Sequence, residues 1–335
     1  FSRCRYNSKG KSNLKNLKKL INQTIKFLNK KSILVVLSQI PPGFMRNINF
    51  DHSRLYYQVE TLIFGNALKR ALHPERVIVG CSNKRNSINK NFLSFLKKFK
   101  CPIIKMKYES AELTKISINL MLASSITTTN MLSRVCEKIS ADWYEIIPAL
   151  RLDKRIGANA YIKPGLGISG GNIERDIYAV KNILKKENVT RLVPKTFSDN
   201  SKHMKSWVLR ILKKERLLKG NKKVGVLGLS YKENTNSTKN SPAIEILKKI
   251  NNQVKIYDPK ARLTKNTKKC FQVKNIEDAI KDSDILLLMT PWKEFKKVNK
   301  ILNLKKNKKV VLIDPYRIID LSRKKKNFRY FTIGK

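Results

Sequence analysis

Between Tyr108 and Ser140 the chain carries neither glycine nor proline, and its apolar residues Leu113, Ile116, Leu120, Ala123, Ile126, Leu132, Val135 and Ile139 recur every third or fourth position. That spacing predicts one long helix. On both sides the rhythm changes. Upstream, Leu14 to Asn29 has helical spacing and Ile33 to Leu37 reads as a buried strand. Tyr56 to Val59 (strand), Leu62 to Ala71 (helix), Val77 to Gly80 (strand), Ile88 to Phe99 (helix) and Ile103 to Met106 (strand) follow. Downstream, KKVGVLGLSYK from Lys222 reads as a strand and a glycine-containing turn. Helices at Ser241 to Ile250 and Ile276 to Lys281 alternate with strands at Gln253 to Tyr257, Ile285 to Met289, Val310 to Ile313 and Tyr330 to Ile333. Alternation of this kind implies parallel pairing with helices over the faces. The expected fold is therefore α/β: two Rossmann-like doubly wound domains joined by a central helical domain with one long helix.

Composition narrows the class. At 335 residues the chain is long enough for two or three cores. Its apolar runs, ILVVL and ILLLM, have the length of buried strands and fall well short of the roughly 18 residues of a membrane span. Five cysteines, at 4, 81, 101, 136 and 270, form no CxxC pair, and three histidines suggest no zinc site, so a cytoplasmic protein with reduced thiols and no metal is expected. The net charge of +48 comes from lysines spread along the whole length among abundant Asn and Ile, with few interleaved aromatics. Such a surface attracts polyanions nonspecifically and salt-dependently, without a stripe for one nucleic acid.

Five motifs carry the rest. KPGLGISGGNIERD, Lys163 to Asp176, is similar to the PGxGFGGSCFxKD loop of the UDP-glucose/GDP-mannose dehydrogenase family, and GLSYKENTNSTKNSP is similar to its GLxFKxxTDDxRxSP; YDP at 257 to 259 matches as well. AELTKISIN matches AExxKxxxN, and YYQVETLIFG places Glu60 at the glutamate of PEFLxEG. The resemblance runs from Ile33 to about Ile333. It implies three domains: residues 1–107, part of an NAD-binding Rossmann-like domain; 108–205, central and helical; and 206–335, which holds the UDP part of a sugar nucleotide. The Gly-rich turn and following acid that open a dinucleotide-binding domain are not found upstream of Ile33, and the chain does not begin with methionine. It is read as N-terminally truncated. The resemblance further implies a homodimer through the helix 108–140; by periodicity alone a buried domain-linking helix serves equally.

Family members oxidise a primary alcohol to a carboxylate by two hydride transfers to NAD, through a thioester on cysteine. Mapped onto this chain, the catalytic set is Glu60, Lys115, Asn119, Asn172 and Asp176. Lys115 and Asn119, at i and i+4, face one way about 6 Å apart along the helix, an arrangement suited to a developing alkoxide. Asp176 stands for the general base, or for a helix N-cap. The substrate-binding set is Gly167, Gly170, Arg175, Tyr231, Lys232 and Lys239. The cofactor-binding set is Ser38, Pro42 and Glu60. By themselves Gly225 and Gly228 are a weak nucleotide signal, since a glycine at a strand turn is often only steric.

Against the family pattern, Asn172 stands where the nucleophilic cysteine belongs, and a carboxamide nitrogen, its lone pair delocalised, forms no thioester-like intermediate. Ser169 replaces a glycine, Gly171 a serine, Arg175 a lysine, Gln39 a threonine, Ser125 a lysine and Lys239 an arginine, which keeps the charge without the bidentate fork. Cys136 lies 21 residues beyond Lys115, roughly 30 Å by helical rise. The expected activity is NAD-dependent oxidation of the primary alcohol of a nucleotide sugar, UDP-glucose-like, toward aldehyde or uronic acid without the cysteine thioester. A nucleotide-sugar-binding homologue without activity and a basic polyanion-binding protein stay open as alternatives.

Overall fold

The computed structural model of the chain describes residues 5–6, 12–62, 66–85, 87–264, 267, 269–304, 310–320 and 328–335. They form two compact units: Phe1–Met121 with Arg175–Pro194, and Leu122–Glu174 with Lys195–Lys335.

In the first unit, helix α1 (Lys15–Lys26) precedes strands β1 (Leu34–Val36) and β2 (Leu55–Gln58). Helix α2 (Ala67–Leu72), β3 (Val77–Cys81), α3 (Lys90–Lys97), β4 (Ile103–Lys107) and the long helix α4 (Tyr108–Ile139) follow. The sheet order is β1-β2-β3-β4. β1 runs parallel to β2 and β3 to β4, but β2 and β3 are antiparallel, Tyr57 opposite Gly80. This departs from the uniformly parallel pairing that alternation implies. A parallel neighbour needs a crossover long enough to return over the sheet, and the link from β2 to β3 contains only the six-residue α2, which has no buried residue. The helix expected from Leu62 falls partly on residues 63–65, outside the described residues. Leu17 and Ile21 of α1 pack with Leu34, Val36, Leu55, Tyr57 and Tyr108 on one face; Phe92 and Leu96 of α3 cover Tyr56, Val77 and Val79 on the other. Asn89 caps α3 by accepting from the amides of Asn91 and Phe92.

In the second unit, helices α5 (Trp143–Leu152), α6 (Asn172–Ile183, in this unit only to Glu174), α7 (Leu192–Lys205, from Lys195) and α8 (Trp207–Lys214) lead into a parallel domain. Its strands are β5 (Val224–Leu227), β6 (Val254–Tyr257), β7 (Cys270–Gln272), β8 (Ile285–Leu288), β9 (Val310–Ile313) and β10 (Phe328–Phe331), with α9 (Pro242–Leu247), α10 (Ile276–Ile280) and α11 (Val298–Leu304) between them. All five pairings are parallel, in the order β10-β9-β8-β5-β6-β7. By position in the domain this is 6-5-4-1-2-3, the dinucleotide-fold order, whose direction reverses between β5 and β8. The edge strand β7 is three half-buried residues, CFQ, too short to leave a periodic signal. Val224, Val226, Ile285 and Leu287 pack against Trp207 and Leu212 of α8 and Ile246 of α9; Leu286, Leu288 and Leu312 turn to Phe295 and Leu302.

Gly225 and Gly228 have steric reasons. A Cβ on Gly225 would stand 2.5 Å from the Ala279 carbonyl, so its absence lets α10 lie close on β5. On Gly228, at φ +102°, it would stand 2.5 Å from Thr290 Oγ1, the hydroxyl that donates across the reversal point to the Ser230 carbonyl at 2.6 Å. Among the described residues no helix is long and apolar enough to cross a membrane, no cluster of His, Cys, Asp or Glu could hold a metal, and Cys81, Cys101, Cys136 and Cys270 are free.

Candidate active site

In the first unit the site is built around Asp176, a carboxylate 2% exposed on α6. Asn119 of α4 donates its Nδ2 to Oδ2 at 2.5 Å. Arg175 Nε meets Oδ1 at 3.1 Å. Gln39, just beyond β1, sets its Nε2 at 2.9 Å from both oxygens. Lys115 lies one turn before Asn119 on α4 and is half-buried; burial pushes its ammonium below the ordinary range, against the opposing pull of Glu60 and Asp176. Glu60 follows β2, its carboxylate accepting from the Leu62 amide. Glu60, Lys115, Asn119 and Asp176 thus all belong to the first unit, and Asn172 to the second.

One expectation changes. Asp176 is not an N-cap: α6 begins at Asn172, because Gly170 and Gly171, at φ +88° and +97°, turn the loop into the helix there. Arg175 is buried and pairs with Asp176. Asn172 is exposed at the first position of α6.

Ser38 and Pro42 occupy the turn after β1. That turn is braced by Glu112, fully buried on α4, whose carboxylate accepts from the amides of Gly43 at 2.6 Å and Met45 at 2.8 Å. Sequence reasoning gave no role to Glu112, although it is the glutamate of the AExxKxxxN match. Its signal was an acid on the buried stripe of the long helix, in register with Ile116, Asn119 and Ala123.

In the second unit the loop glycines meet defined neighbours. A Cβ on Gly167, at φ +77°, would stand 2.5 Å from the Ser201 carbonyl, and one on Gly170 2.3 Å from Tyr231 Cε2. Gly170 donates its amide to the Lys239 carbonyl at 3.1 Å. Gly170, Tyr231 and Lys239 are thereby brought together. Lys232 lies with its Nζ 5.9 Å from the centre of the Tyr231 ring, and burial lowers its pKa. Glu174 is held by the nearly buried Lys205 at 2.9 Å and by Asn240. Asn130 of α4 accepts from the Gly165 amide, and Ser125, where the family has lysine, donates to the Tyr161 carbonyl.

At the carboxyl edge of the parallel sheet, Asp258 of the YDP motif, 1% exposed, gathers the loops. Its Oδ2 accepts from the amides of Leu229 at 2.7 Å and Ser230 at 3.0 Å, the Ser230 hydroxyl at 3.1 Å and the Trp292 indole at 3.3 Å. Its Oδ1 accepts from the amides of Lys260 at 2.8 Å and Ala261 at 2.6 Å. No free thiol stands in for the missing one among the residues just described. Cys136 is buried with Trp143, Ile147 and Ile162, and burial pushes the Cys81 and Cys270 thiols up.

Residues 109–201 match the central domain and residues 225–321 the UDP binding domain of the UDP-glucose/GDP-mannose dehydrogenase family. The UDP-glucose 6-dehydrogenase of Rickettsia conorii is 31% identical over 97% of this chain and 78% of its own length. Among solved structures, a UDP-glucose dehydrogenase from Pyrobaculum islandicum shares the fold with a TM-score of 0.80 at 22% identity, over 95% of this chain and 76% of that one. A UDP-D-ManNAc dehydrogenase from Pyrococcus horikoshii does so with a TM-score of 0.78 at 22% identity, over 98% and 78%. Fold and relatives together define a protein of the α/β nucleotide-sugar dehydrogenase class. The chain belongs to the UDP-glucose/GDP-mannose dehydrogenase family.

Proposed function

We propose that this protein oxidises the primary alcohol of a nucleotide sugar, UDP-glucose-like, with NAD as hydride acceptor, and that it does so without a covalent cysteine intermediate. The observation that carries the reading is the hydrogen-bonded set Asn119–Asp176 with Lys115 one turn away, retained while Asn172 holds the nucleophile's place. Residues 1–107 serve the cofactor, 108–205 the reacting centre and 206–335 the UDP part. Gly167, Gly170, Arg175, Tyr231, Lys232 and Lys239 are assigned to the sugar nucleotide.

The residues assigned to NAD fit such a group. Ser38, Pro42 and Glu60 follow the carboxyl ends of two adjacent parallel strands, the edge at which sheets of this type hold ligands. Around Gly43, at φ +87°, the space a Cβ would occupy is open. When bound, the nicotinamide supplies the acceptor for the hydride. The chain supplies the rest. The Lys115 ammonium and the second N–H of the Asn119 amide stabilise negative charge on the alcohol oxygen as its proton passes to the part-buried Glu60 carboxylate, in surroundings where a fixed donor counts for more than in water. Asn172 offers no attacking atom, so oxidation ends at the aldehyde or continues through the aldehyde hydrate, with water held near Glu60.

The test is NADH formation by the full-length protein with UDP-glucose and related nucleotide sugars, with product analysis and acid trapping of protein-bound acyl groups. NADH without a trapped thioester is expected; a trapped thioester refutes the mechanism. Asn172 also favours a second reading, a nucleotide-sugar-binding homologue without activity, which predicts binding with no NADH from any nucleotide sugar. A homodimer through α4 is supported by its exposed apolar side chains, Met121 at 72% and Ile139 at 67%, and is checked by light scattering; a strictly monomeric protein refutes it.

A further inference from the structure

The enclosure of Asp176 bears on what it does. A carboxylate has about four lone-pair positions, and three donor groups from three elements occupy those of Asp176: Gln39 at the end of β1, bridging both oxygens, Asn119 on α4 and Arg175 on α6. Only 2% of the residue is exposed. Accepting a proton there would require one donor to turn away, leaving a buried N–H against a new O–H. Gln39 makes the difference. A threonine, as the family pattern has at this position, is too short for an amide to bridge both oxygens from the same backbone.

We propose that Gln39 is a positioning residue of the oxidation site: by clamping both oxygens of Asp176 it makes that carboxylate an anchor that fixes the Asn119 amide, and withdraws it from the role of proton acceptor. The proposal rests on the oxidoreductase reading and deepens it. Charged and titratable groups around this centre include Arg175 on the same helix, Lys115 and Glu112 on α4, Tyr57 on β2, Glu60 after it and, against Lys115, Arg70 on α2. Asp176 then acts through Asn119 and does not bond to the reacting atoms.

The experiment compares wild type, Gln39→Ala, Asp176→Asn and the double variant in the full-length protein. NADH formation is followed across pH with a nucleotide sugar, and urea unfolding is measured beside it. Gln39→Ala is expected to lower kcat on the order of 10- to 100-fold, the effect of one charge-assisted hydrogen bond, with KM for the sugar nucleotide unchanged. The double variant is expected to be no slower than Asp176→Asn alone, since the two residues work as one unit. Asp176→Asn is expected to keep the wild-type shape of the kcat/KM profile at reduced height. Loss of a limb of that profile in Asp176→Asn, or losses that multiply in the double variant, overturns the proposal. If wild type binds nucleotide sugar but forms no NADH, the oxidoreductase reading falls and the clamp is decided by unfolding. Stability losses that fail to add then uphold it, and additive losses overturn it.

Discussion

Replacing Asp258 by asparagine alters one atom, and the structure fixes what that should cost. The carboxylate accepts on both sides: four donors converge on Oδ2, two backbone amides on Oδ1. An asparagine keeps only one oxygen. Turned toward Leu229 and Ser230 it retains those bonds but points its NH2 at the amides of Lys260 and Ala261, which are left facing a donor. Turned the other way it strands Leu229, Ser230 and Trp292 instead. Either way at least two N–H groups lose an acceptor, at least one of them buried, at about 1–3 kcal/mol for a buried one, and the remaining bonds lose their charge assistance, for a total of about 2–5 kcal/mol. All three tryptophans, Trp143, Trp207 and Trp292, lie in the second unit, so tryptophan fluorescence during urea unfolding reads that unit. A loss below about 1 kcal/mol would show that Asp258 does not organise the loops at the sheet's carboxyl edge.

Further outcomes follow from the same geometry. Gly170→Ala places a methyl 2.3 Å from the Tyr231 ring at φ +88°; it should destabilise the second unit by on the order of 2 kcal/mol and weaken nucleotide-sugar binding by calorimetry, and unchanged affinity would remove Gly170 and Tyr231 from the substrate site. Asn172→Cys puts a thiol at the exposed start of a helix, where the N-terminal dipole favours thiolate; iodoacetamide should label it faster than an unperturbed thiol, and acyl trapping should then succeed, whereas a variant that labels but never traps would show that more than the thiol has been lost. The Arg317 guanidinium, in a bidentate pair at 2.6 Å, holds the Asp142 carboxyl below its usual range. A depressed carboxylate adds stability above its unfolded pKa and loses it as pH falls through the folded one. The Tm advantage of wild type over Asp142→Asn, which keeps an acceptor for the cap on Tyr144, should therefore hold at pH 7 and vanish in the acid range below about pH 4; an advantage independent of pH would refute the ion pair's role.

The long helix, the second parallel domain and most strands are legible in the sequence because each rests on local periodicity: apolar residues at three and four for α4, short apolar runs bounded by turn residues for β5 and β8. The antiparallel β2–β3 pairing and the strand β7 are not, since both are decided by partners distant in sequence rather than by the segment's own pattern. The site divides the same way. Lys115 and Asn119 are visible through the resemblance of AELTKISIN to AExxKxxxN, since their spacing on one helix alone marks only two residues on the same face. That Gln39 and Arg175 converge with Asn119 on one buried carboxylate is not visible, because 137 residues separate Gln39 from Asp176. Asn172, read from the chain alone, excludes a thiol nucleophile at that position whatever the fold. Only the tertiary structure decides that Asp176 lies out of reach of solvent with its oxygens already bonded, because burial and hydrogen-bond partnership are properties of packed neighbours, and residue order does not specify them.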